Sequence, residues 1–382
     1  MGKNTWPRCE ESRPGAAAAA GICPADGLRQ CRHGCQRHQL QTGCLSGHAG
    51  RKRCSMTQVA ADWPFLPVAD TAGDDVGWVL INAPLVRGRF RRQFAALRRG
   101  GYRFAGMSSH LSFPLSAVGR VCEERALCEA WCHCFRNPDR YLGPNMPRAL
   151  LALSDFTDPD EITPATSAYP GSPDEVFDFL YVGGETPWKR RVKRWDLAVR
   201  VIRRLASADL SGVVLQSDNT HALVDVPGVT ITPKLPRQHF LSLLARCRFL
   251  LVTSGEDPSP RILAEALCLD VPLLIQRHIL GGWHYVTPAS GAFFDDEHDI
   301  SAAAQRCLAP ALTPRRLFTA QHGPVPAGKR LLALLGELDR SITETSHLTV
   351  DFAINEPLAP PAATAVPVRN RETDDQASPA ES

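Results

Sequence analysis

The sequence predicts an α/β protein built on parallel sheets. Short apolar runs of four to seven residues alternate with amphipathic stretches of helical period through most of its 382 residues. Gly, Pro and Asp clusters punctuate the alternation. No apolar stretch reaches the ~18–20 residues that a membrane span needs.

In chain order, Trp78–Asn82 is a strand, Phe90–Leu97 an amphipathic helix and Tyr102–Met107 a second strand. Glu123–Phe135 has a helical pattern, and Ala149–Leu153 is a further apolar run. The Pro-, Asp- and Thr-rich stretch Asp155–Ser172 reads as a domain boundary. Beyond it the rhythm is cleaner. Strands are expected at Phe179–Val182, Val213–Leu215, Val229–Ile231, Phe249–Thr253 and Pro272–Ile275, with helices at Trp195–Leu205, Pro236–Ala245 and Pro260–Leu267. That order implies right-handed crossovers in a Rossmann-like sheet, which binds ligands beyond the carboxyl ends of its strands.

Four segments follow. Residues 1–75 are expected to be a disordered or mis-assigned leader, with Met56 an alternative start. Residues 76–165 form an abbreviated first domain, 166–345 a second Rossmann-like domain, and 346–382 a disordered tail. The overall charge of +3 is uneven: residues 1–55 carry +6, residues 346–382 carry −4, and the middle is close to neutral. Such a balance argues against nucleic acid as the partner. Arginine outnumbers lysine 37 to 6, which reads as a coding bias. Thirteen scattered cysteines without a secretory signal imply reduced thiols and a cytoplasmic protein.

The richest chemistry lies in Phe249–Pro272, FLLVTSGEDPSPRILAEALCLDVP. A strand ends at Thr253, a tight loop follows, Ser259 is placed to cap the next helix and Pro260 suits its first turn. Backbone N–H groups at that helix start, from Arg261 and Ile262, form a candidate anion site. Glu265 lies further along, where a carboxylate reaches ribose hydroxyls. The competing reading is an ordinary Arg261–Glu265 surface pair worth ~0.3–0.5 kcal/mol.

Asp257-x7-Glu265, followed by ALCLDVPLLI, resembles the E-x7-E segment of group 1 glycosyltransferases with the GT-B fold. Asp257 takes the first acidic place and Glu256 directly precedes it. Upstream, Phe179-Leu-Tyr-Val-Gly-Gly184 followed by Lys193-Arg-Trp-Asp-Leu-Ala198 resembles that family's strand, glycine and basic segment, in which a basic pair holds the donor diphosphate. The arginine that follows the first glycine in the family is absent. Lys193 fits the lysine position, and Arg190 or Arg191 supplies the second charge beside Gly183 and Gly184. A solvated basic face or nucleic-acid patch, flanked by Trp188 and Trp195, is the competing reading of this cluster. His110, in Gly106–Pro114 after a strand, matches a place where related enzymes carry an active-site histidine. Trp283 and His284, after Gly281-Gly282, are expected to line an acceptor or base pocket or else to anchor two domains.

The resemblance implies two Rossmann-like domains of GT-B type, the first abbreviated. It implies a glycosyltransferase that moves a sugar from a nucleotide-diphosphate donor to a saccharide, lipid-linked or small-molecule acceptor, with retention, no cofactor and no metal. Asp158-Pro-Asp160 and Asp295-Asp296 are read as turn chemistry rather than metal ligands. The alternatives are a non-catalytic nucleotide-sugar- or phosphate-binding protein, and a zinc module on Cys128, Cys132 and Cys134 with His133 between, where a helix puts Cys128 and Cys132 on one face; the Cys31-x3-Cys35 pair falls in the leader.

Overall fold

A computed structural model describes residues 63–110, 113–115, 122–164, 176–216 and 222–351. The expectations for residues 1–62, for Cys31 and Cys35, and for most of the tail lie outside these residues.

Two six-stranded sheets organise the chain. The first contains β1 (Phe65–Ala69), β2 (Asp75–Ile81), α1 (Gly88–Arg99), β3 (Arg103–Met107), α2 (Glu124–Leu127), β4 (Ala130–His133), α3 (Asp139–Leu142) and β5 (Arg148–Leu150). Strands β2 to β5 are parallel, and β1 runs antiparallel to β2. The second sheet contains β6 (Phe177–Val182), α4 (Pro187–Val192), α5 (Trp195–Ala206), β7 (Gly212–Leu215), β8 (Val229–Thr232), α6 (Arg237–Leu244), β9 (Cys247–Val252), α7 (Arg261–Cys268), β10 (Leu273–Gln276), β11 (Gly291–Phe294) and α8 (Ile300–Cys307). After α9 (Pro314–Gln321), the chain returns to the first sheet through α10 (Pro324–Gly336). It ends there as β12 (Thr349–Val350), paired antiparallel with β1.

The α/β class and the two sheets are as expected. Several elements are not. Glu123–Phe135, expected to be helical, is one helical turn followed by strand β4, because Ala130, Trp131, Cys132 and His133 are all buried between the two faces of the sheet. A run buried on both faces has no period by which to tell strand from helix. The first sheet also begins at Phe65, ahead of the expected boundary at 76, and closes with β12 inside the expected tail.

Each sheet is covered on both faces. In the first, Trp78, Leu80, Met107 and Cys132 pack with Leu331, Leu334 and Leu335 of α10, while Val79, Ile81, Phe104 and Trp131 face Phe90 and Leu97 of α1. Cys128 and Cys132 therefore lie in opposite clusters rather than on one helical face, which removes the zinc arrangement. Burial pushes the Cys132 thiol up to about 12 and raises Cys128 and Cys134 as well, as expected of inert core thiols.

The second sheet is wholly parallel, in the order β11-β10-β9-β6-β7-β8. The chain winds one way from β6 and the other way from β9. The crevice beyond the carboxyl ends of these two neighbours is the topological switch point, where such sheets bind ligands.

Candidate functional site

The loops leaving β6 and β9 carry most of the residues singled out from sequence. After β6, Gly183 and Gly184 lead into α4, capped by Thr186, whose side chain accepts from the Lys189 N–H. Glycine is required at 184: a Cβ there would lie 2.6 Å from the Lys189 backbone carbon and 2.7 Å from the Arg190 nitrogen. The chain turns out of α4 through Arg194 in a left-handed conformation (φ 52°), which costs about 1–2 kcal/mol for a non-glycine residue. This turn brings Lys193 back beneath the β9 loop. The Lys193 carbonyl accepts from the Thr253 hydroxyl, and the Val192 carbonyl accepts from the Gly255 N–H at 3.1 Å.

These backbone bonds set a charged pair. Lys193 Nζ lies 3.6 Å from Asp257 Oδ2, both side chains about one-fifth exposed. Asp257 and Lys193, one from each crossover unit, thus meet at the switch point. Glu256 is exposed beside them. Two buried polar atoms of the same segments, Ser254 Oγ and Arg190 Nε, have no hydrogen-bond partner among the described residues. An unsatisfied buried group costs about 1–3 kcal/mol, which a ligand would offset.

Glu265 is buried in the second turn of α7, where the Arg237 guanidinium at the start of α6 binds its Oε1. The anticipated Arg261–Glu265 pair is not formed; Arg261 is exposed and Ile262 half-buried. Ser259 does not cap α7 either. Pro260 occupies the N-cap with no side-chain bond, while Ser259 Oγ accepts from the Ser154 N–H at 3.0 Å. Ser259 is thereby drawn to the connection between the sheets, and the first N–H groups of α7 carry no side-chain cap.

The loop after β10 supports the acidic loop from behind. Leu280 N–H donates to the Gly255 carbonyl and Gly281 N–H to that of Asp257, both at 3.0 Å. A Cβ at Gly281 would lie 1.8 Å from the Pro258 oxygen, so this approach needs glycine. Trp283 acts as an anchor: its Nε1 donates to the Cys134 carbonyl beyond β4 at 2.8 Å, and Arg136 stacks on its ring at 4.6 Å. His110 is exposed three residues beyond β3 of the first sheet.

His284 belongs to a cluster that the sequence reading did not find. The buried Asp155 Oδ1 meets His322 Nδ1 at 2.8 Å, Arg330 Nη2 at 3.2 Å and His284 Nε2 at 3.3 Å, and its second oxygen accepts from the Ala152 N–H at 2.6 Å. Burial alone would raise this carboxyl's pKa. Hydrogen bonds from the two histidines and the charge of Arg330 hold it far below the usual range instead. Burial lowers His322, against the pull of Asp155. Asp155, His284 and His322 have the donor types of a metal site. Arg330 already supplies the positive charge there, so the arrangement is that of a charge-compensated structural node. Asp158 accepts from the Asp160 N–H at 2.9 Å, as turn chemistry requires. Asp295 binds Arg277.

The chain matches no protein-family model and no curated protein. Solved structures similar to it include a glycosyltransferase from Rickettsia africae (10% identity, covering 69% of this chain and 77% of that one, TM-score 0.49). Anabaena HepE in complex with UDP-glucose (10%, 69% and 78%, 0.48) and sucrose-phosphate synthase from Thermosynechococcus elongatus (14%, 70% and 74%, 0.47) are others. At these scores the likeness is one of outline. Among the described residues, no helix is long and apolar enough to cross a membrane.

Proposed function

We propose that the protein is a metal-independent glycosyltransferase that binds a nucleotide-diphosphate sugar at the switch point of the second sheet and passes the sugar to an acceptor with retention. The observation that carries this reading is the convergence of Lys193 and Asp257 beside the uncapped start of α7, with Glu265 buried one turn further on.

As the glycosidic bond breaks, negative charge grows on the leaving diphosphate. Lys193, Arg190 and the first N–H groups of α7 answer it, a preorganised electrostatic effect worth several kcal/mol. Glu265, fixed on one oxygen by Arg237, offers its other oxygen to the ribose hydroxyls. Retention and the absence of a cofactor follow from the family resemblance of the Asp257-x7-Glu265 and Gly183–Lys193 segments, and a cytoplasmic location from the scattered cysteines read as reduced thiols.

A thermal-shift panel of UDP-, GDP-, ADP- and CMP-sugars on the full chain tests binding, and release of nucleotide or transfer of sugar tests catalysis. Stabilisation by one donor that Lys193→Ala and Glu265→Gln both abolish is the expected result. Binding without any turnover would make this a nucleotide-sugar-binding protein instead. Wild-type turnover in both variants would remove the site assignment.

A further inference from the structure

Helix α1 has a face that nothing in the described structure covers. Its sequence, GRFRRQFAALRR, continues from Val86-Arg87; counting Arg87 there are six arginines, and no acidic residue, up to Gly101. At ~100° per residue, Phe90, Phe94 and Leu97 form one stripe, of which Phe90 and Leu97 are buried against the first sheet. Arg87, Arg89, Arg91, Arg92, Arg98 and Arg99 occupy the opposite arc of roughly 200°. All six are exposed, and Val86, at the tip, is 78% exposed.

Coding bias toward arginine does not account for this face. On α5, two of the three arginines are matched by carboxylates: Arg200 meets Glu297 at 2.9 Å and Arg203 meets Asp225 at 3.2 Å. On α1, Arg91 alone has an acidic neighbour, Glu123 at 3.9 Å, with both side chains largely exposed. The other five have no carboxylate partner among the described residues.

We infer that this face is a docking surface for an anionic lipid bilayer. Charge complementarity selects an acidic partner. A convex helix face with an exposed apolar tip, with no aromatic ring on its exposed arc to stack on bases, favours a lipid surface over nucleic acid. Guanidinium groups on long stems reach lipid phosphates while Val86 enters the interface. The same loop, Asn82–Gly88, leaves the carboxyl end of β2, so docking there brings the carboxyl edge of the first sheet to the membrane.

The test is co-sedimentation of the full chain with vesicles of phosphatidylcholine alone and of phosphatidylcholine with phosphatidylglycerol, in low and high salt. Binding to the anionic vesicles only, weakened by salt, is expected. Replacing Arg89, Arg92, Arg98 and Arg99 by Gln should reduce partitioning roughly a hundred-fold or more. Arg200→Gln with Arg203→Gln should leave it unchanged, and circular dichroism of both variants should match the wild type. Equal binding to neutral vesicles, undiminished binding of the α1 variant, or tighter binding to a single-stranded oligonucleotide than to anionic vesicles would overturn the inference. None of these outcomes depends on donor turnover, so the glycosyltransferase proposal stands or falls separately.

Discussion

The two sheets share strand count and parallel cores, yet they are wound differently. The second is parallel throughout and reverses its winding between β6 and β9, so a crevice forms where two crossover units meet. Lys193 and Asp257 meet there, and Glu265 lies on the helix that follows, bound to Arg237. The first sheet has two antiparallel strands at one edge, β1 and β12, and its order β12-β1-β2-β3-β4-β5 never reverses between parallel neighbours. It has no such switch point. Strand order, rather than strand number, decides which half has a switch point.

The largest expected effect concerns what joins the halves. Asp155→Ala leaves His284, His322 and Arg330 without their shared carboxylate, and breaking such a buried cluster should cost about 3–5 kcal/mol of stability in denaturant unfolding. A loss below about 1 kcal/mol would mean that the halves stand without the node. Next, Lys193→Ala and Glu265→Gln should each reduce transfer by roughly 10²–10³-fold with little change in melting temperature, whereas His110→Ala on the first sheet should cost far less. Equal losses for all three would place the chemistry on both sheets.

Gly281→Ala forces a methyl group onto the Pro258 carbonyl. It should destabilise by ~1–3 kcal/mol and weaken donor binding, since the loop that moves carries Asp257. The last effect is a pH dependence of stability set within the first sheet. Burial, with Arg148 and His284 adding to it, lowers His133 from 6.5 to about 4. The native imidazole therefore stays neutral in a window where the unfolded chain's takes up a proton. Stability is flat above about 6.5 and falls as pH drops toward 4, by at most ~1.4 kcal/mol per unit from this residue. His133→Gln should flatten that slope in thermal melts at stepped pH.

The second sheet was legible because its strands and helices alternate at short range, each with its own period and turn signals. Arg190, Lys193, Asp257 and Glu265 of the proposed site were read from two local segments; Arg237, which binds Glu265, lies in neither. The first sheet was less so. Pro67 interrupts β1, β4 is buried on both faces, and β12 is two residues long, too short for any pattern. Helices α8 to α10 and strand β11 went unread for want of a motif to draw attention to them. The Asp155 cluster was out of reach for another reason. His284, His322 and Arg330 lie 129, 167 and 175 residues away from it. Local periodicity carries no information at that range, and a lone aspartate in a Pro-rich stretch looks like a turn residue.

The chain passes between the two halves twice, outward near Asp155 and back near His322. At that place the Gly323 N–H donates to the Asp155 carbonyl at 2.8 Å while His322 holds its side chain. The two passages are stitched together at one point. A nick in either passage alone would leave both halves attached.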